Sequence, residues 1–112
     1  MKCLEKNKDI YGLLGLARRA GKISFGTESS IDTIKRRKAK LVILAKNCSD
    51  RTKRNFERIC KEGDVPIKES GTIEELSKSI GEFNKAVIVV RDENFAKEII
   101  KRIDGGEIIG KD

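Results

Sequence analysis

Two short apolar runs decide the fold: Leu41-Val42-Ile43-Leu44-Ala45, set between Lys40 and Lys46, and Ala86-Val87-Ile88-Val89-Val90, set between Lys85 and Arg91. Neither run alternates apolar with polar. Each is too short for a buried helix, rich in β-branched side chains and closed by charge at both ends. Such runs predict strands covered on both faces. The cover has to come from helices elsewhere in the chain, and the flanking sequence provides them.

Upstream, Ile10, Leu13, Leu14 and Ala17 fall at i, i+3, i+4, i+7, the period of an amphipathic helix. Arg18 and Arg19 suit its last turn and Gly21 its stop. Ile23-Ser24-Phe25 alternates as a short strand, and Gly26-Thr27 is a tight connection. Glu28 to about Lys38 reads as a second helix with Ile31 and Ile34 inward. Between the two runs, Ser49 or Asp50 caps a helix to about Glu62. Its inner face is Phe56, Ile59 and Cys60, and Gly63 ends it. Val65-Pro66-Ile67 is a short strand whose proline places it at a sheet edge or a strand start. Thr72-x-x-Glu75 is a capping box ahead of Leu76 and Ile80, with Gly81 as the stop. Asp92 caps a last helix with Phe95, Ala96, Ile99, Ile100 and Ile103 inward. Gly105-Gly106 should end it, leaving a frayed tail over 104–112.

The order is helix, then strand–helix four times. It predicts an α/β sandwich with a largely parallel sheet and helices on both faces. With 112 residues and no linker, repeat or low-complexity segment, one domain over 1–112 is expected.

Composition removes several functional classes. The chain has no histidine, which excludes Ser/His/Asp triads, imidazole acid–base chemistry and nearly all zinc enzymes. Neither G-x-G-x-x-G after a strand nor a Walker-type loop is present. Gly12-x-x-Gly15 lies within the first helical pattern and reads as close helix packing. Glu74-Glu75 and Asp92-Glu93 sit at helix starts, where the macrodipole accounts for them. Cys3, Cys48 and Cys60 show no C-x-x-C spacing and read as free thiols of a reducing compartment. No apolar run approaches 18 residues and no apolar stretch follows Met1. A membrane span and a signal peptide are therefore not expected, and the cytoplasm is. No catalysis, cofactor or metal is expected.

Charge gives the positive lead. Residues 1–61 hold 17 basic and 6 acidic side chains; residues 62–112 hold 8 and 12. A polyanionic partner met by one side of the molecule fits this asymmetry. The best-placed segment is Gly26-Thr27-Glu28-Ser29-Ser30, at a strand-to-helix junction. A helix start offers free backbone N–H groups to a phosphate, and short polar side chains can reach base edges or ribose. Lys22, Lys35, Arg36 and Lys46 are the candidate phosphate contacts. With five aromatics in all, base stacking on a sheet is not supported, and a structured RNA read by shape and backbone fits better.

Around this junction, Leu14-Gly15-Leu16-Ala17-Arg18-Arg19-Ala20-Gly21-Lys22, Gly26 and Lys38-Ala39-Lys40-Leu41-Val42-Ile43-Leu44-Ala45 resemble the ribosomal L-seven-Ae family of kink-turn RNA-binding proteins, most closely its bacterial YlxQ-type branch. The similarity continues through Ser49, Thr52, Cys60, Val65-Pro66, Leu76, Ser79-Ile80-Gly81 and the segment from Val87 to Phe95. It spans about 8–103. The resemblance implies a three-layer α-β-α sandwich with a four-stranded mixed sheet, in a ribosomal-protein-like component of a ribonucleoprotein. It further implies binding to a sharply bent internal loop with tandem sheared G·A pairs. The elements used would be the junction at Gly26, Thr27, Glu28 and Ser29, with Asp32 one turn later, and a second loop at Ser70, Gly71, Thr72 and Ile73. Typical members carry Gly-Thr-Asn-Glu at the junction and a lysine three residues after that Glu. Here those positions hold Glu28, Ser29 and Asp32.

The expected partner is a structured RNA, ribosomal in origin, met by a monomer, with ribosomal proteins as further contacts. The competing reading is a ribosome-associated protein-interaction module. In it, the acidic second half, through Glu74, Glu75, Glu82 and Glu93, docks a basic partner.

Overall fold

The computed structural model describes residues 2–109, with side chains from Ile10 to Gly105. In chain order the elements are α1 (Lys2–Arg19), β1 (Ile23–Phe25), α2 (Thr27–Lys35), β2 (Leu41–Leu44), α3 (Asp50–Gly63), β3 (Ile67–Glu69), α4 (Ile73–Ser79), β4 (Val87–Val90) and α5 (Glu93–Ile109). β2 and β4 are buried at every residue. Because successive strand side chains point to opposite faces, this requires cover on both. α1 packs on α5 and α4, while α2 packs on α3, giving the two helical layers. Phe56, Ile10, Leu14, Leu41, Ile43, Leu76, Ile88 and Ile99 are fully enclosed. Each such side chain is worth about 1.5–3 kcal/mol relative to exposure.

The sheet is mixed, in the order β1-β4-β2-β3. The expectation of a largely parallel sheet is corrected: only β2–β3 is parallel, while β1–β4 and β2–β4 are antiparallel. β1, β2 and β3 do point the same way, as strand–helix alternation demands. β4 is reversed and lies between β1 and β2. After α4 the chain doubles back in the Gly81 turn, where Glu82 N–H donates to Ser77 O, and Ser77 Oγ holds the Lys85 backbone against α4, so the chain returns to the sheet at the end it left. Glu69 at the end of β3 pairs with Leu44, and Val87 at the start of β4 pairs with the same residue. β3 takes the edge, one of the two places expected from its proline, but it runs Ile67–Glu69 rather than 65–67, with Pro66 just ahead of it.

Local signals set most helix ends. α1 stops in a Schellman turn: Gly21 N–H donates to Arg18 O and Lys22 N–H to Ala17 O, with Gly21 at φ +72°. Ser49 Oγ accepts from Thr52 N–H, and Asp92 Oδ2 accepts from Phe95 N–H. The Thr72–Glu75 capping box is complete. Three ends differ from expectation. α2 stops at Lys35 rather than near Lys38, because Arg37 takes the left-handed conformation at φ +61°. α3 runs through Gly63, and Asp64 is the left-handed residue. α5 continues past Gly105-Gly106 to Ile109, since glycine in a helix costs about 1 kcal/mol and does not forbid it. The remainder of the expected frayed tail, 110–112, lies outside the described residues.

Gly15 fulfils the packing role expected of it: a Cβ there would lie 3.0 Å from Ser79 O on α4. Gly12 does not, having nothing within 4 Å.

Candidate nucleic-acid interface

The strand register gathers four connections at one end of the sheet. Phe25 pairs with Ile88, Leu44 with Val87, and Leu44 with Glu69. The chain leaving β1, β2 and β3 and the chain entering β4 therefore emerge side by side, at the end where α/β sheets usually bind ligands. Backbone bonds tie them together. Gly26 N–H donates to Val87 O at 3.0 Å, Ala45 N–H to Ala86 O at 3.0 Å, Ser70 N–H to Leu44 O at 3.0 Å and Lys46 N–H to Gly71 O at 2.8 Å. Asn47 Oδ1 accepts from Ile73 N–H at 2.8 Å.

Gly26 is the pivot. It is the N-cap of α2 at φ 87°, ψ 162°, and no side chain caps the helix. This region is open essentially to glycine alone. The N–H groups of Thr27, Glu28 and Ser29 have no acceptor among the described residues, and all three side chains are exposed. Beneath them, Thr33 Oγ1 donates to Ser29 O at 2.9 Å and bonds Ser24 Oγ at 2.7 Å, fixing the first turn of α2 on β1.

Two lysines at this end have no ion pair among the described residues. Lys46 is exposed at the end of β2. Lys85 lies beside Gly26, 4.0 Å from where a Cβ would be, with its Nζ 5.8 Å from the Phe25 ring centroid. Ser77 Oγ holds the Lys85 backbone, accepting from its N–H at 2.7 Å and donating to its carbonyl at 3.2 Å. Sequence reading passed over Lys85 as a charge closing a strand, which is also how Lys46 looks. Only the antiparallel pairing of β4 puts it next to Gly26. Phe83, 89% exposed, projects from the α4–β4 connection and was likewise missed. Arg18 stacks 4.5 Å from the Phe25 ring and donates to Ile80 O and Glu82 Oε2.

The structure divides the candidate phosphate contacts. Lys46 joins Gly26, Thr27, Glu28 and Ser29. Lys35 and Arg36 stand at the far end of α2, about 12 Å along its axis from Thr27. Lys22 precedes β1 and so lies at the opposite end of the sheet. Asp32 is not a bare carboxylate, because Arg36 Nε binds its Oδ2 at 2.9 Å. In the second loop, Ser70 is buried, and Thr72 Oγ1 accepts from Glu75 N–H at 3.1 Å. Gly71, at φ +69°, lies against Tyr11: a Cβ would sit 2.6 Å from its Oη. Tyr11 Oη donates to Glu75 Oε1 at 3.0 Å. Burial first, then that bond and the Glu75 charge, push the phenol up to about 12.

Three of the four carboxylates assigned to protein docking already have internal partners. Glu82 holds Arg18, Glu75 accepts from Tyr11 and from Thr72 N–H, and Glu93 holds Lys97. Cys48 and Cys60 are buried free thiols, both pushed up by burial, Cys60 to about 11. The side chain of Cys3 lies outside the described residues.

Free N–H groups at a helix start, exposed hydroxyls, the Glu28 carboxylate and two lysines make this edge of the α/β sandwich a candidate binding edge for a polyanion. Similarity to known proteins agrees with that class. The chain belongs to the ribosomal protein L7Ae/L30e/S12e/Gadd45 family, whose pattern matches residues 8–101. It is 35% identical over 94 residues to the RNA-binding protein YlxQ of Bacillus subtilis (strain 168), covering 84% of this chain and 94% of that one. It is 37% identical over 93 residues to the RNA-binding protein YlxQ of Enterococcus faecium, covering 83% and 89%. Among solved structures, a Bacillus halodurans protein of unknown function superimposes with a TM-score of 0.82 at 30% identity, covering 85% and 96%. The Giardia lamblia 15.5kD RNA binding protein shares the fold, with a TM-score of 0.75 at 19% identity, covering 90% and 89%. No helix among the described residues is long and apolar enough to cross a membrane.

Proposed function

We propose that this protein is a non-catalytic RNA-binding protein of the cytoplasm that grips a bent internal loop, of the kink-turn type, with the Gly26 edge. Ribosomal RNA is its expected source. The observation that carries the reading is the convergence of Gly26, Lys46 and Lys85 at the uncapped start of α2. Relatives named as RNA-binding proteins support it. In this geometry the Thr27–Ser29 N–H groups and the two lysines meet phosphates at the bend. Glu28 accepts from a guanine edge, and Thr27 and Ser29 bond backbone oxygens. Arg36 pairs with Asp32 and partly offsets its charge, which lessens the repulsion between the carboxylate at the family's lysine position and the phosphates.

Fluorescence anisotropy at two salt concentrations tests this. One RNA carries a kink-turn; its control has the G·A pairs replaced by Watson–Crick pairs. The kinked RNA should bind more tightly at the higher salt. Lys46→Glu with Lys85→Glu should weaken it and lower the salt slope by about 0.7–0.9 for each phosphate no longer neutralised. Equal binding to both RNAs would remove the kink-turn assignment, and binding to neither would remove the RNA assignment.

A further inference from the structure

The opposite end of the sheet carries a charged surface for which the Gly26 edge has no use. Ile23 and Leu41 both pair with Val90. One step further out, Lys22 stands opposite Arg91, and Lys40 reaches the same end of β4 through a bulge in which it and Leu41 both oppose Val90. Arg91 N–H donates to Lys22 O, and Lys40 N–H to Val90 O, each at 2.8 Å, while the Arg91 guanidinium donates to Gly21 O at 2.6 Å and Ile23 O at 3.2 Å. Like charges opposite one another on neighbouring strands are unfavourable. Among the described residues no carboxylate makes an ion pair with Lys22, Lys40 or Arg91, although Glu62 and Asp64 share a groove with Lys35 and Arg37 at this end. Asp32 binds Arg36, Asp92 caps α5 and Glu93 holds Lys97. Lys22, Arg37, Lys38 and Lys40 are exposed and make no ion pair among the described residues.

The turn after α2 points the same way. It is a second Schellman turn, with Arg37 N–H donating to Ile34 O and Lys38 N–H to Thr33 O. The equivalent turn after α1 has glycine at its left-handed position, Gly21. Here that position holds Arg37, at φ +61°. A side chain that disfavours the conformation occupies it, and what it adds there is positive charge.

We propose that this end is a second RNA surface, which holds the phosphate backbone of an A-form duplex while the Gly26 edge takes the internal loop. One protein would then clamp two RNA segments from opposite ends of its sheet. The choice of RNA among polyanions rests on the function proposed above; the cationic surface does not. No exposed aromatic or large aliphatic side chain lies among Lys22, Lys35–Lys40 and Arg91. A membrane-surface site would need them.

The test uses a fully paired RNA duplex, whose binding is independent of any internal-loop preference, so failure of the kink-turn reading leaves it intact. The combined variant Arg37→Gln, Lys38→Glu, Lys40→Glu should bind the duplex at least about tenfold more weakly, with a salt slope lower by about 2–3. Its loss should exceed that of Lys46→Glu with Lys85→Glu. Arg37→Gly separates charge from folding: its melting temperature should rise while duplex affinity falls. Unchanged duplex affinity in the triple variant, or in Arg37→Gly alone, would overturn the proposal. So would a loss no larger than that of the Lys46/Lys85 pair, or tighter binding to phosphatidylserine vesicles than to the duplex.

Discussion

Replacing Gly26 with alanine isolates the backbone strain on which the candidate interface is built. A Cβ at this position meets nothing closer than Lys85 Cδ and Nζ at 4.0 Å, so sterics beyond the residue itself contribute little. Gly26 caps α2 without a side-chain bond, so no cap is lost either. What remains is φ 87°, ψ 162°, where a non-glycine residue costs about 1–3 kcal/mol. Alanine also narrows the unfolded ensemble, which returns about 0.4–1 kcal/mol. Taking the middle of each range, the net loss is about 1.3 kcal/mol, or roughly 5–10 °C in melting temperature for a domain of this size. Gly12→Ala is the control. Its Cβ meets nothing within 4 Å inside α1, and the change should stabilise by about 0.8–1 kcal/mol. The same chemical change should thus shift the urea midpoint in opposite directions at the two sites. Binding adds a second readout. If Gly26→Ala relieves its strain by turning the 26–27 peptide, the Thr27–Ser29 N–H groups lose their aim, and preference for kinked RNA falls further than duplex affinity. A Gly26→Ala protein that unfolds at or above the wild-type midpoint would refute the strain argument.

Gly15→Ala should destabilise by about 1–3 kcal/mol, because its Cβ would stand 3.0 Å from Ser79 O, a backbone atom of α4 that cannot swing aside; urea denaturation reads this directly. Thr72→Ala removes the capping box on α4 and should lose about 1 kcal/mol by the same measurement. Tyr11→Phe probes the phenol held near 12 in the fold against 10.0 unperturbed. The raised value means that the neutral form is favoured by folding, so its contribution is whole below about pH 10 and is lost as pH rises towards 12. The stability gap between wild type and Tyr11→Phe should therefore shrink over that window, and a gap constant from pH 9 to 12 would contradict the Tyr11–Glu75 assignment.

Most of what sequence revealed is local. The runs at 41–45 and 86–90, the Thr72–Glu75 box and the Asp92 cap are decided within a few residues of themselves, and the structure bears each of them out. What stayed hidden depends on where the chain goes next. Strand–helix alternation orients β1, β2 and β3 alike, but the insertion of β4 depends on the chain doubling back after α4, where Ser77 holds the Lys85 backbone. That insertion in turn brings Lys85 beside Gly26. Gly63 and Asp64 are both residue types that tolerate the left-handed conformation, and nothing local chooses between them.

The charge pattern shows the same limit on a larger scale. The excess of cations in residues 1–61 looked like one basic side. Yet a strand that starts at one end of the sheet finishes at the other, and a helix that starts at Gly26 carries its last turn away from it. Lys46 closes β2 where Lys40 opens it, near in sequence but at opposite ends of the strand. Sequence neighbours of like charge are thus divided between two surfaces, while Lys85, from the acidic half, joins the basic edge. Net charge by segment identified the kind of partner to seek. The number of surfaces that can meet it is a property of strand length and register.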